Sequence, residues 1–136
     1  MSQRNLEIIR RQAEAVNRGD VDAVLSDMDP EIEFIPKRAG VQGAYHGHKG
    51  IRDFFADTFE NFDLFEVSND EIRDLGDRVV SIGTLHVRGK GSGVEVTVPT
   101  ALVVVFRGGK IVRFEDFGER SRALEAVGLS EQDRTT

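Results

Sequence analysis

The chain has 136 residues, 39% hydrophobic and 31% charged, the size and balance of one globular domain with one core. Its 24 acidic residues outnumber 18 basic ones, giving a formal charge of −6, and no basic patch is visible, so no nucleic-acid partner is expected. The absence of cysteine excludes a disulfide framework, a thiol nucleophile and a thiolate metal site.

Residues 1–11 are too charged for a secretory signal, and no apolar run approaches membrane-spanning length. The expectation is a cytoplasmic protein without a membrane partner, with residues 1–136 forming one domain. Residues 5–17 read as an amphipathic helix, because Leu6, Ile9, Ala13 and Val16 recur at helical spacing. Gly19 is placed to stop it, and Asp20 to cap a short second helix whose apolar face is Val21, Val24, Leu25 and Met28. Asp29-Pro30 breaks that helix, and a short strand follows over 32–35, ended by Pro36. Residues 37–47 form a glycine-rich loop. A third helix spans roughly 50–61, with a broad stripe of Ile51, Phe54, Phe55, Thr58, Phe59 and Phe62 that suits a helix laid across a sheet.

Strands dominate the rest. Residues 65–75 lead through Gly76-Asp77-Arg78 into a strand over 79–88, then a loop at 89–93 and a long strand over 94–106. The loop Gly89-Lys-Gly-Ser-Gly93 joins two strands rather than opening a helix, so it reads as a hairpin and not as a phosphate loop. Arg107-Gly108-Gly109 turns the chain into a strand over 110–117, and a last helix covers 119–127, with Gly128 at its end. Helices first and antiparallel strands second indicate an α+β fold. The long strand has two apolar faces: Val94 to Phe106 at even positions, and smaller groups including Ala101, Val103 and Val105 at odd ones. Both faces therefore need a cover, one by helices and the other by a second subunit.

Asp116 stands out. Alternation puts it on one face with Val112 and Phe114, while Glu115 shares the other face with Arg113. A carboxylate among apolar neighbours is costly unless compensated, so either the strand end is wet or Asp116 has a task. Tyr45, the sole tyrosine, is either a pocket hydrogen-bond donor or a packed ring. His46 and His48 lie in the glycine-rich loop without a third ligand at suitable spacing, so they read as exposed loop residues and no metal site is assigned.

Three segments carry a family resemblance: Asn17-Arg-Gly-Asp-Val-Asp-Ala-Val24, Tyr45-His-Gly-His-Lys-Gly-Ile-Arg-Asp-Phe-Phe55 and Gly109-Lys-Ile-Val-Arg-Phe-Glu-Asp-Phe117. With the order of elements and the trailing Ala123-Leu-Glu-Ala-Val-Gly-Leu129, the chain resembles the SnoaL-like proteins of the nuclear transport factor 2-like superfamily. SnoaL itself is a polyketide cyclase. The resemblance implies a cone: a curved antiparallel sheet packed on three helices from the N-terminal half, a short C-terminal helix, and an apolar pocket at the open end. It implies a homodimer paired through the outer sheet face, where His86 would lie with Val80, Ile82 and Thr84.

The resemblance also implies site residues. Asp116 falls where SnoaL-like cyclases carry their acid/base aspartate. Phe34, Tyr45, Phe54, Phe55, Leu85, Ala101, Val103 and Phe114 are the expected pocket lining. The carboxylate and tyrosine of ketosteroid isomerase-like enzymes are missing, with Ile35, Ala101 and Gln12 at the matching positions. The relay of epoxide hydrolases of this fold is missing too, with Gly83 and Leu85 in its place. The expected function is binding of a small apolar or aromatic molecule, with cyclase- or isomerase-type acid/base chemistry at Asp116 and no cofactor. A ligand-binding module without catalysis and a dimeric adaptor are the alternatives.

Overall fold

The computed structural model describes residues 2–37 and 44–130; most of the expected glycine-rich loop, and residues 131–136, lie outside that description. Helix α1 (Ser2–Arg18) ends at Gly19, whose φ of +72° suits a residue without Cβ. Gly19 N–H donates to Val16 O and Asp20 N–H to Ala15 O, which closes the helix end. Helix α2 (Val21–Ser26) follows, capped by the Asp20 carboxylate accepting from Ala23 N–H.

The buried stripe of α1 is Asn5, Ile8, Ile9, Gln12 and Ala15, while Leu6, Ala13 and Val16 are only half-buried. The expected stripe is thus turned by about one residue. Two polar residues face inward because each is satisfied: Asn5 donates to Gly76 O at 2.7 Å and Gln12 to Val24 O at 2.8 Å.

Strand β1 (Met28–Ile35) starts four residues before the expected position and runs through Asp29-Pro30. Its pairing is irregular between Met28 and Glu33, so the missing Pro30 N–H breaks no ladder bond there. Strand β2 (Tyr45–His46), which the sequence did not suggest, pairs with Phe34 and Glu33 of β1. Helix α3 (Gly47–Asn61) runs into β3 (Phe62–Asp74), β4 (Arg78–Gly89), β5 (Glu95–Arg107), β6 (Lys110–Asp116) and the short helix α4 (Arg120–Ala126).

The six strands form one curved, unclosed sheet in the order β2-β1-β6-β5-β4-β3. The architecture is α+β, as expected, but the sheet is mixed rather than wholly antiparallel: β1 runs parallel to β6. The reason is local. Met28 lies opposite Ile111, and Ile111 N–H donates to Asp27 O, so α2 and the β5–β6 turn deliver both strands from the same end. Curvature is introduced in β3, where the register shifts between Asn69 and Glu71 opposite Gly83. A Cβ on Gly83 would lie 1.8 Å from Ser68 O, so only glycine fits beneath that bulge.

Helices α1, α2 and α3 cover the inner face, around Ile8, Val24, Ile32, Ile51, Val79, Val104 and Ile111. Helix α4 packs Ala123, Leu124 and Val127 against Val80, Ala101 and Val103 on the outer face. Ala101 and Val103, on the second apolar face of the long strand, are therefore covered by this chain's own C-terminal helix. No helix is long and apolar enough to cross a membrane among the described residues.

Candidate functional site

Parallel pairing of β1 with β6 sets Phe34 opposite Phe114 and Ile35 opposite Glu115, so both strands end together. The inner-face ring of Phe34 meets Phe114 at 5.6 Å between centroids, Phe54 at 4.8 Å and Tyr45 at 6.0 Å. Tyr45 and Phe54 are 5.5 Å apart, and Phe55 continues the chain of rings from Phe54 at 5.2 Å. Edge-to-face contacts predominate, the arrangement favoured by ring quadrupoles. Phe34, Tyr45, Phe54 and Phe114 are each half-buried, so the cluster keeps an accessible side. Phe55 is buried within the core.

Asp116 is the next inward residue after Phe114 on β6 and pairs with Leu102 of β5. Its Oδ1 accepts two backbone hydrogen bonds, from Ala101 N–H at 3.1 Å and Gly118 N–H at 2.9 Å. Burial pushes the carboxyl above its ordinary value, while the two N–H donors and the charge of Lys37 pull the other way. The balance is upward, toward the range useful for moving protons near neutrality.

Not all of the expected lining residues gather here. Leu85 is on the same face but lies between Val67 and Val98, four positions along β4 from Ser81, the residue that flanks Leu102. That is roughly 13 Å of strand. Ala101 and Val103 alternate away from Leu102 and Val104, and their side chains are buried beneath α4 on the outer face. Ala101 serves Asp116 through its backbone N–H alone. Their small, apolar side chains fit a helix-packing surface as well as a pocket wall, so composition did not distinguish the two faces.

The histidines separate. His46, on β2, is exposed and lies 3.6 Å from Glu33, which also pairs with Arg113. His48 is not in a loop: it sits in the first turn of α3, half-buried, with Nε2 3.0 Å from Met28 O. His86 lies on the outer face, 2.6 Å from Thr97 Oγ1 and 2.7 Å from Glu95 Oε1. Among the described residues no three His, Cys, Asp or Glu side chains form a metal-holding group.

Sequence reasoning passed over Lys37. It leaves β1 just after Pro36 and comes alongside Gly118, which follows β6. A Cβ on Gly118 would lie 2.6 Å from Lys37 Cε and 3.0 Å from its Nζ, so the bare glycine makes room for the lysine stem. The only signal in the sequence was that two adjacent strands end there, and that required knowing the parallel register. Two open clefts lie elsewhere. One of about 510 Å³ runs between α1 and β3, lined by Leu6, Arg10, Ala13, Glu14, Asn69, Asp70 and Ile72. The other, of about 210 Å³, lies around Val16, Phe59 and Phe65. Neither includes Asp116.

Comparison with known proteins agrees with this architecture. TerC, in a structure co-crystallised with polyporic acid, is 28% identical, with a TM-score of 0.76 over 85% of this chain and 92% of that one. A nuclear transport factor 2-like protein of unknown function from Burkholderia pseudomallei is 25% identical, with a TM-score of 0.77 over 94% and 98%. A candidate SnoaL-like polyketide cyclase from Jannaschia sp. CCS1 shares the fold at 24% identity, with a TM-score of 0.74 over 85% of each chain. No curated protein matches the sequence significantly. The SnoaL-like domain model matches residues 9–114, ending just short of Asp116. With more than half of its length matched and the same curved sheet over three helices, this chain belongs to the SnoaL-like domain family of the nuclear transport factor 2-like superfamily.

Proposed function

We propose that the protein binds a small apolar or aromatic molecule against the accessible side of Phe34, Tyr45, Phe54 and Phe114, and that Asp116 moves a proton on it. The observation that carries this reading is a desolvated carboxylate placed next to a half-buried ring cluster. The similarity to TerC, which was crystallised with polyporic acid, supports an acidic aromatic ligand class.

The chemistry is of cyclase or isomerase type. The ionised Asp116 takes a proton from carbon next to a carbonyl; the C–H electron pair becomes that of an enolate, and the proton resides on the carboxyl. In isomerisation, Asp116 returns the proton to another carbon of the same system. In cyclisation, the enolate pair forms a carbon–carbon bond to a second carbonyl carbon, whose oxygen takes up a proton. Neither route requires an external oxidant or reductant.

A binding module without catalysis is favoured by a different observation. Both backbone donors converge on one oxygen of Asp116, which anchors the end of β6 whether or not the other oxygen reacts. Asp116→Asn separates the readings, with 2-tetralone as an aromatic ketone probe. If Asp116 is the base, enzyme-dependent deuterium exchange at the α-carbon falls by about 10²–10⁴-fold while probe affinity is nearly unchanged. If Asp116 only helps to bind, affinity falls and the wild type shows no exchange above buffer. A wild type that takes up no apolar probe at all points to the adaptor reading instead.

A further inference from the structure

A lone carboxylate leaves the negative charge of an enolate without a partner. Lys37 is placed to supply one. Its stem crosses the bare backbone of Gly118, and Gly118 N–H is itself bonded to Asp116 Oδ1. The ammonium is therefore near the carboxylate, yet it makes no ion pair within 4.0 Å among the described residues. The charge of Lys37 is felt at Asp116 all the same, where it opposes the effect of burial. An exposed ammonium beside a half-buried carboxylate, not neutralised by direct contact, can receive an oxygen atom of a ligand between them.

We propose that Lys37 is the anion-recognising residue of this site and selects ligands bearing an ionisable oxygen: phenols, enols and acidic hydroxyquinones. This rests on the reading of Asp116 and the ring cluster given above. The substrate places its apolar ring on the side of Phe34 and Phe114, its acidic C–H toward Asp116, and its oxygen toward Lys37. As the C–H pair moves onto oxygen, the ammonium stabilises the charge that develops, and no proton needs to leave Lys37. The bare Gly118 leaves room for the far end of the Lys37 side chain, which lies over it.

The test compares two probes of similar shape, 4-nitrophenol at a pH where it is ionised and neutral 4-nitrotoluene. Each is titrated against wild type, Lys37→Gln and Lys37→Arg. The expected result is a loss of about tenfold in phenolate affinity for Lys37→Gln, unchanged affinity for 4-nitrotoluene, and partial recovery in Lys37→Arg. The absorbance of the bound phenol is a second readout: its ionisation midpoint is lower on wild type than on Lys37→Gln. Equal phenolate affinity in wild type and Lys37→Gln, with 4-nitrotoluene still bound, overturns the role of Lys37 and leaves the pocket reading intact. Failure of wild type to bind either probe overturns the pocket reading, and this inference with it.

Discussion

At Asp116, burial opposes two backbone N–H donors and a lysine, and burial prevails. The folded-state pKa is raised above the ordinary 3.8, so the folded protein holds this proton more firmly than the unfolded chain does. The sign follows. The stability contributed by the protonated carboxyl is complete below the unfolded value and is lost as pH rises through the folded one. Asp116→Asn keeps an oxygen for Ala101 and Gly118 but carries no charge. It should melt at a higher temperature than wild type at neutral pH, and the gap should close at pH values below 3.8. Thermal melts across that range are the check, and a variant less stable at neutral pH would contradict the burial argument. On the proposed chemistry the same group acts on activity in the opposite sense: a general base works only when ionised, so the rate should rise with pH along a limb above the usual aspartate range.

Among the elements, the bend in β3 has the most specific requirement. Gly83 faces the bulge at Asn69–Glu71, and a Cβ there would overlap Ser68 O at 1.8 Å. The obstacle is backbone, not a flexible side chain. Gly83→Ala is therefore expected to destabilise the fold by roughly 1–3 kcal/mol or more, measured by urea denaturation. Much at this scale was legible in the sequence. Gly19, Asp20 and Gly128 mark helix ends through chemistry that depends on neighbouring residues alone. What was not legible depended on distant partners. Asn5 and Gln12 are buried because acceptors on other elements receive them, so a count of apolar residues turned α1 by one position. The two residues of β2 are a strand only because β1 lies beside them. Alternation placed Asp116 with Phe114, but it did not say which face of β5 the helices cover, and so Ala101 and Val103 were assigned to the pocket. Lys37 was invisible for the same reason, since its neighbour Gly118 is brought to it by strand pairing.

At the scale of the whole molecule, the outer sheet face bears on self-association. We propose a homodimer through the part of the outer sheet face that α4 leaves uncovered, which carries Thr84, His86, Arg88 and Thr97. Light scattering should give twice the chain mass, and a monomer at working concentration removes the proposal. Location is tested by two variants. Thr84→Arg should dissociate the dimer, whereas Val96→Arg should not; the reverse outcome would move the interface to the exposed strip of Val94, Val96 and Val98.

The pairing of β1 with β6 also bears on how this chain comes into being. Glu33 and Arg113, joined across that pair, are 80 positions apart in the sequence. Closing so long a loop costs roughly 3 kcal/mol more in chain entropy than closing the tight β5–β6 turn. Helices α1, α2 and α3 and strand β1 are made before β6, and β1 waits without its principal neighbour until that last strand has been made. Throughout that interval the inward side chains Ile32 and Phe34 belong to an unfinished core. The ring cluster that would hold a ligand is therefore among the last parts of the molecule to assemble, and a nascent chain halted before β6 would display those rings to chaperones rather than to substrate.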